Sequence, residues 1–265
     1  MKISNYLILL STMVLVACAS NKQISTPTPS PSATLAAPSS TPTPMPKSTP
    51  TLPAELITSG DWVTPYVALT FDMCQDPQYP AGFDAGVVNA LQKYKAPATF
   101  FMGGDWMRTH PEETKLLAAN PNFELGNHSW SHPDFTKLSE GEMSKEIEMT
   151  EEMLFQLTGK HSRLFRHPYG FYNEKSLSVV ARHGLYNIQW DSVSGDPDPN
   201  FDAATILSEV QRTVRDGSII IMHGNGRGWH TAEALPLVID YLRSKGYRLV
   251  TVPQLIGLEP MPPAE

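Results

Sequence analysis

The run Phe123-Glu124-Leu125 leads straight into Gly126-Asn127-His128-Ser129-Trp130-Ser131-His132. A short strand thus delivers two histidines four residues apart, with small or polar residues around them. That spacing lets two imidazoles converge on one ion, from a helical turn or from a tight loop. Zinc is the usual occupant of neutral imidazole pairs, and Co, Ni, Fe or Mn also fit. Taken alone, the pair reads as readily as two loop histidines without a ligand. The flanking chain decides between the two.

Upstream, Val67-Ala68-Leu69-Thr70-Phe71 is an apolar, partly β-branched run that reads as a buried strand ending at Asp72. Helical spacing follows over Phe83 to Tyr94, then a second strand over Ala98 to Met102, stopped by Gly103-Gly104. Pro111 to Ala119 is a helix with Pro in its first turn, and Phe123 to Leu125 is the third strand. Downstream, Ser139 and Glu142 form a capping box that opens an amphipathic helix to about Leu157, with Met143, Ile147, Met153 and Leu154 on its buried side. Leu164-Phe165 is a fourth strand ending at Arg166, followed by a helix from about Asn173 to His183. Tyr186 to Trp190 is a fifth strand ending at Asp191. Asp202 caps a helix to about Asp216. Ser218 to Met222 is a sixth strand ending at His223, Thr231 to Lys245 a helix, and Arg248 to Val252 a seventh strand.

Strictly alternating strands and helices call for a parallel sheet. Asp72, His128, Arg166, Asp191 and His223 each follow the C-terminal end of a different strand, where (β/α) barrels place their active sites. An open doubly wound sheet gathers such residues only near its switch point. The expectation is therefore an α/β fold, a distorted (β/α) barrel of seven or eight strands. No Gly-x-Gly-x-x-Gly or phosphate loop appears, which argues against a nucleotide cofactor.

The chain has 265 residues, is 41% hydrophobic and carries a formal net charge of −7. The acidic balance and the lack of a basic run argue against nucleic acid as a partner. Residues 1–17 read as an export signal: Lys2, then an apolar run from Tyr6 to Val16. About 20 apolar residues are needed to span a bilayer, so this run is too short for a mature transmembrane helix. Its ending, Leu15-Val16-Ala17-Cys18, resembles the bacterial lipobox, which implies lipid on Cys18 and an extracytoplasmic, membrane-anchored protein. Residues 18–54 form a linker. Within it, Asn21 to Pro53 holds nine of the chain's 24 prolines and no apolar periodicity, a composition of spacers rather than cores. The globular domain is expected over 55–258, with 259–265 as a tail. If Cys18 is lipidated, the chain offers no second cysteine for a disulfide with Cys74.

Five ordered motifs over roughly Val67 to Leu255 resemble those of the NodB-homology polysaccharide deacetylases, carbohydrate esterase family 4. They are Thr70-Phe71-Asp72; His128-Ser129-Trp130-Ser131-His132; Arg166-His167-Pro168-Tyr169-Gly170; Trp190-Asp191 through Asp196; and Ile221-Met222-His223. The resemblance implies Asp72 as general base, His128 and His132 as metal ligands and Arg166 as the residue orienting the base. It also implies a Tyr169 backbone N–H facing the oxyanion and His223 as general acid. Asp196, with Asp191 close behind, takes the charge role of the fourth motif. The cofactor implied is a divalent metal, zinc first, with Co, Ni or Mn as alternatives.

The match has gaps. The family's usual first motif has a second Asp completing the metal triad; here that place is Met73, and Cys74 stands where Gly is usual. A thioether is a poor ligand for zinc. Cys74, Asp76, or Asp72 itself with water are the alternatives, the last favoured, and fewer strong ligands mean weaker binding. Val193 and Pro197 stand where Asp and Trp are frequent. His230, beside Trp229 in a Gly-rich loop, is a candidate substrate contact. Trp106, Trp130 and Trp229 are either sugar-ring faces or core. His110, His161, His167 and His183 read as surface or structural.

The activity implied is removal of N-acetyl groups from an envelope or extracellular glycan, peptidoglycan or chitin-like. Two alternatives stand beside it: a glycan-binding lipoprotein that has lost turnover, and a related O-acetyl esterase or C–N hydrolase.

Overall fold

The structure is a computed structural model that describes residues 52–75 and 81–262. The signal, the linker up to residue 51, Cys18 and Asp76 lie outside the described residues. The strands are β1 (Leu56–Ile57), β2 (Tyr66–Met73), β3 (Ala98–Met102), β4 (Phe123–Asn127), β5 (Leu164–Phe165), β6 (Tyr186–Ile188), β7 (Ser192–Val193), β8 (Ile219–His223) and β9 (Arg248–Val250). The helices are α1 (Ala85–Lys93), α2 (Gly104–Thr109), α3 (Pro111–Ala119), α4 (Glu140–Thr158), α5 (Glu174–Arg182), α6 (Ala203–Thr213), α7 (Thr231–Ser244) and α8 (Val252–Leu255).

The strand pairings are parallel, in the order β1-β6-β5-β4-β3-β2-β8-β7, with β9 also against β2. Ala68 pairs with both Ile219 of β8 and Val250 of β9, so β9 shares the edge of β2 that β3 takes further along. The sheet cannot be flat. Between β6 and β7 lie six strand-to-strand steps, about 29 Å in a flat sheet. Only residues 189–191 join them, a reach of about 14 Å from Ile188 to Ser192 at full extension. The ends must therefore curl towards each other. The seam is stitched by a Ser59–Ser218 bridge and by Gly60 N–H donating to Gly217 O at 2.8 Å. The result is the expected distorted (β/α) barrel.

Alternation along β2 sorts its side chains. Val67, Leu69, Phe71 and Met73 face the layer between sheet and helices, with Phe100, Leu91 and Val238. Ala68 faces the barrel interior with Phe101, Leu164 and Val250, and Asp72 on the same face reaches its mouth. A third cluster, Phe135, Met143, Ile147, Phe165 and Val179, packs α4 and α5 on the sheet. Among the described residues no helix is long and apolar enough to cross a membrane.

Several expectations need correcting. The Gly103-Gly104 pair does not simply stop a strand: Gly103 caps α2. The fifth strand ends at Ile188, because Gln189 to Asp191 leave the sheet to cross the seam. The seventh ends at Val250, since Thr251 turns to cap α8 through the Gln254 N–H. The helix after Asp202 stops at Thr213. The two-residue strands β1 and β7 carry too little pattern to be read in advance.

Candidate active site

The histidine loop is held from both sides. At the end of β4, the buried Asn127 side chain donates to Ile147 O (3.1 Å) and Glu151 Oε1 (2.8 Å) on α4 and accepts the Ser129 N–H at 2.9 Å. Glu146 of α4 accepts the backbone N–H and the hydroxyl of Ser131, at 2.7 and 2.8 Å. The loop reverses within these anchors: Ser129 and His132 sit at φ 65° and 58°. Such conformations persist in non-glycine residues only where the surroundings enforce them. The rings of His128 and His132 end 4.8 Å apart, centroid to centroid.

Each imidazole is prepared as a neutral ligand. Nδ1 of His128 is 2.8 Å from Arg166 O, which makes Nδ1 the protonated nitrogen and leaves a lone pair on Nε2. That Nε2 is buried and has no hydrogen-bond partner among the described residues. Burial lowers the pKa of His128, outweighing the pull of Asp72. His132 is pushed down to about 3, by burial first and then by repulsion from His128. The donor atoms of Cys74, His128 and His132 all lie within 4.8 Å of one another. A buried, unpartnered nitrogen, two neutral imidazoles and a sulfur so clustered fit a divalent cation.

Asp72 stands beside this cluster. Its Oδ1 accepts from Arg166 at 2.8 Å, and its Oδ2 lies 3.4 Å from His128 Nε2. Burial opposes its charge, but the fields of His128, Arg166 and His223 and the Arg166 hydrogen bond outweigh that, holding the carboxyl below its ordinary range. Arg166 is fully buried, with its guanidinium 3.9 Å from the Phe101 ring centre and 5.4 Å from that of Trp190. Gly126 makes room for this stack: a Cβ there would come within 2.6 Å of the Phe101 ring.

His223, at the end of β8, is set by Asp196. Its Nδ1 is 3.0 Å from Asp196 Oδ1, and its backbone N–H donates to Oδ2 at 2.7 Å. Thr231 and Ser194 donate to the same carboxylate at 2.6 and 2.9 Å. Burial works against protonation of His223, but the charge and hydrogen bond of Asp196, with help from Asp72, raise its pKa. Gly228 lets the loop close over this carboxylate, since a Cβ would fall 2.4 Å from Asp196 Oδ2.

Asp72, His132, Tyr169, Asp196 and His223 line one cleft of about 320 Å³, and Cys74, Trp190, Val193, Pro197, Ile221 and Arg227 complete its walls. Tyr169 has φ 58°, and its ring lies 4.4 Å from that of His132.

Two expected site residues are elsewhere. Asp191 spends its carboxylate at the start of β8, accepting from Ile219 N (3.0 Å), Arg215 (3.1 Å) and Ser218 (3.2 Å), because β6 ends early and the chain is already crossing the seam. His230 precedes α7 and pairs with Glu233 at 3.0 Å, outside the cleft. Trp106 is core, its N–H on Gly82 O, and Trp229 is exposed but not in the cleft. Trp190 and Arg227 are among the wall residues that the sequence did not assign a substrate contact. Position within the fourth motif pointed at Trp190, whereas nothing local marked Arg227. Met73 is fully buried in the sheet–helix core, with its sulfur close to Gly224, and offers no ligand.

A barrel mouth with an acid–arginine pair, two neutral imidazoles and a carboxylate-backed histidine holds the acid, base and ligand groups that hydrolysis uses. Residues 60–188 match the family described as polysaccharide deacetylase. A peptidoglycan-N-acetylglucosamine deacetylase of Bacillus cereus is 33% identical over 199 residues, covering 74% of this chain and 70% of the relative. The solved Bc1960 peptidoglycan N-acetylglucosamine deacetylase superposes with a TM-score of 0.69 at 31% identity, over 76% of this chain and 92% of that one. BA3943 of Bacillus anthracis, described as a CE4 family pseudoenzyme, has a TM-score of 0.69 at 26% identity, over 77% and 69% of the two chains. Other relatives are longer, and the chain spans half of one and 38% of another. The chain belongs to the polysaccharide deacetylase family, and its peptidoglycan deacetylase relatives mark it as a hydrolase acting on carbon–nitrogen bonds.

Proposed function

We propose that the protein is a metal-dependent N-deacetylase acting on an N-acetylated glycan of the cell envelope, with peptidoglycan as the first candidate and a chitin-like polymer as the second. The observation that carries this reading is the buried Nε2 of His128, which has no hydrogen-bond partner among the described residues and stands beside Asp72 and His132. Relatives that deacetylate peptidoglycan supply the substrate class.

A divalent cation, zinc first and Co, Ni or Mn as alternatives, held by His128 and His132 would polarise the amide carbonyl and acidify the attacking water. Asp72, ionised and aimed by Arg166, accepts the proton of that water. The Tyr169 backbone N–H faces the developing oxyanion; a donor of this kind is worth about 3 kcal/mol. His223 holds a proton on its ring, because Asp196 stabilises the imidazolium, and delivers it from Nε2 to the departing amine. The C–N bond breaks, and acetate and a free amino sugar result. Trp190 and Tyr169 offer ring faces for sugar packing, and Arg227 places a positive charge at the rim.

The proposed setting is extracytoplasmic, with lipid on Cys18 and residues 18–54 as a spacer between membrane and the domain at 55–258. Stable anchoring needs more than one acyl chain, and such an anchor suits a substrate in the envelope.

The test is acetate release from N-acetylated sugar oligomers with and without added Zn²⁺ or Co²⁺. Release that requires metal and is lost in His128→Ala supports the reading. A second reading, glycan binding without turnover, draws on Met73 in place of a carboxylate and on the likeness to a pseudoenzyme. Oligomer binding with no acetate at any metal concentration would favour it, and release confined to O-acetyl esters would reassign the reaction.

A further inference from the structure

We propose that Cys74 supplies the third protein ligand of the cation, as a thiolate, so that the centre is Cys–His–His rather than carboxylate–His–His. This rests on the metal-dependent reading above and deepens it.

The first argument is strand alternation. Side chains two apart share a face of β2, so Cys74 continues the face that carries Asp72, while Met73 turns into the core. The ladder runs on past the strand, with Gly103 N–H donating to Met73 O at 2.8 Å, so the alternation holds at position 74. The second is convergence. The sulfur falls in one cluster with nitrogens of His128 and His132, and His128 Nε2 there is fully buried without a hydrogen-bond partner among the described residues. The third is the environment of the sulfur. Cys74 is 2% exposed and forms no disulfide among the described residues. Nδ2 of the buried Asn225 stands 3.6 Å from Sγ and donates to Cys74 O at 2.8 Å. A donor beside the sulfur orients it and favours the anionic form that binds metal.

A thiolate carries the same charge as the carboxylate it replaces, so the net charge of the loaded centre is preserved. Loading releases the thiol proton to solvent as the sulfur–metal bond forms. Softness changes instead. Thiolate ligation favours Zn²⁺ and Co²⁺ over Mn²⁺, which prefers oxygen donors.

The experiment is Co²⁺ titration of the apo domain, followed by near-ultraviolet absorption, with Zn²⁺ competition for affinity. Wild type should take up one equivalent and show a thiolate-to-cobalt charge-transfer band. Cys74→Ser should abolish the band and weaken Zn²⁺ binding by at least about 10-fold, the low end of what losing even an outer-shell partner costs. Cys74→Asp should restore binding without the band and shift preference towards Mn²⁺. Circular dichroism of the apo variants separates ligand loss from misfolding. Tight Co²⁺ binding without the band in wild type overturns the thiolate and leaves the enzyme reading standing. No Co²⁺ or Zn²⁺ binding in wild type overturns both.

Discussion

Asp196 grips His223 at two points. Its Oδ1 lies 3.0 Å from the ring Nδ1, and its Oδ2 accepts the backbone N–H at 2.7 Å. The carboxylate therefore fixes both where the ring stands and which nitrogen faces it, and it raises the pKa of His223 against the effect of burial. A raised pKa keeps the acid charged to higher pH, so activity should decline only as pH rises past that value. Asp196→Asn removes the charge that raises this pKa and leaves the lowering effect of burial. We expect the alkaline limb of kcat/KM to move to lower pH, with a smaller change at the acid end. An unmoved alkaline limb would exclude His223 as the group being titrated.

The buried pair of Asp72 and Arg166 carries two loads that separate variants can distinguish. Asp72→Asn keeps a hydrogen-bond acceptor but no base, so activity should fall by about 10²–10⁴-fold. Arg166→Met leaves the buried carboxylate without its guanidinium and should cost about 3–5 kcal/mol of stability in urea unfolding. Unchanged stability in Arg166→Met would show that the pair does not hold the barrel mouth together.

His132, held at a pKa of about 3 by burial and by His128, should destabilise the apo protein in acid. The unfolded chain binds a proton at His132 near pH 6.5 while the folded chain does not, so unfolded protein takes up more protons as pH falls. Stability is lost progressively from about pH 6.5 down to about 3. His132→Asn should flatten that part of the profile, measured by denaturant unfolding in the presence of chelator. A slope identical to wild type would refute the assignment.

Glu146 of α4 makes two hydrogen bonds to Ser131, between the two histidines. Glu146→Ala frees the loop without touching either imidazole. Zn²⁺ affinity should fall by about 10–100-fold, the range for partners that orient ligands, with little change in the far-ultraviolet spectrum. Competition with a chromophoric chelator would measure it.

Asp191 should behave as a structural residue. Asp191→Ala removes an acceptor from the Ile219 N–H, Arg215 and Ser218. A loss of about 1–3 kcal/mol is expected, with kcat of the remaining folded enzyme unchanged. A selective drop in kcat would return Asp191 to the site.

Much of this was legible in the chain. The strands Ala98–Met102 and Leu164–Phe165 and the helix Pro111–Ala119 fall where apolar runs and Pro placed them. Local signals suffice there because burial on both faces leaves one solution. Position after a strand marks Asp72, His128, Arg166 and His223, the four-residue spacing marks His132, and the family resemblance marks Tyr169 and Asp196. Asp191, marked by its place after a strand, and His230, marked by its place beside Trp229 in a Gly-rich loop, lie elsewhere. The fifth strand ends two residues early, and His230 finds Glu233 one turn along its own helix. Neither event leaves a mark in residue spacing.

Sequence alone determined the alternation of strands and helices, and with it the parallel barrel and the strand ends that carry chemistry. Periodicity is local, and a chain cannot hide it. The tertiary structure decided what faces what: that Met73 turns into the core while Cys74 meets the imidazoles, that Asp196 rather than Asp191 reaches His223, and that Trp190 and Arg227 wall the cleft. Those facts depend on strand register and on where the curled sheet meets itself, which distant parts of the chain fix jointly.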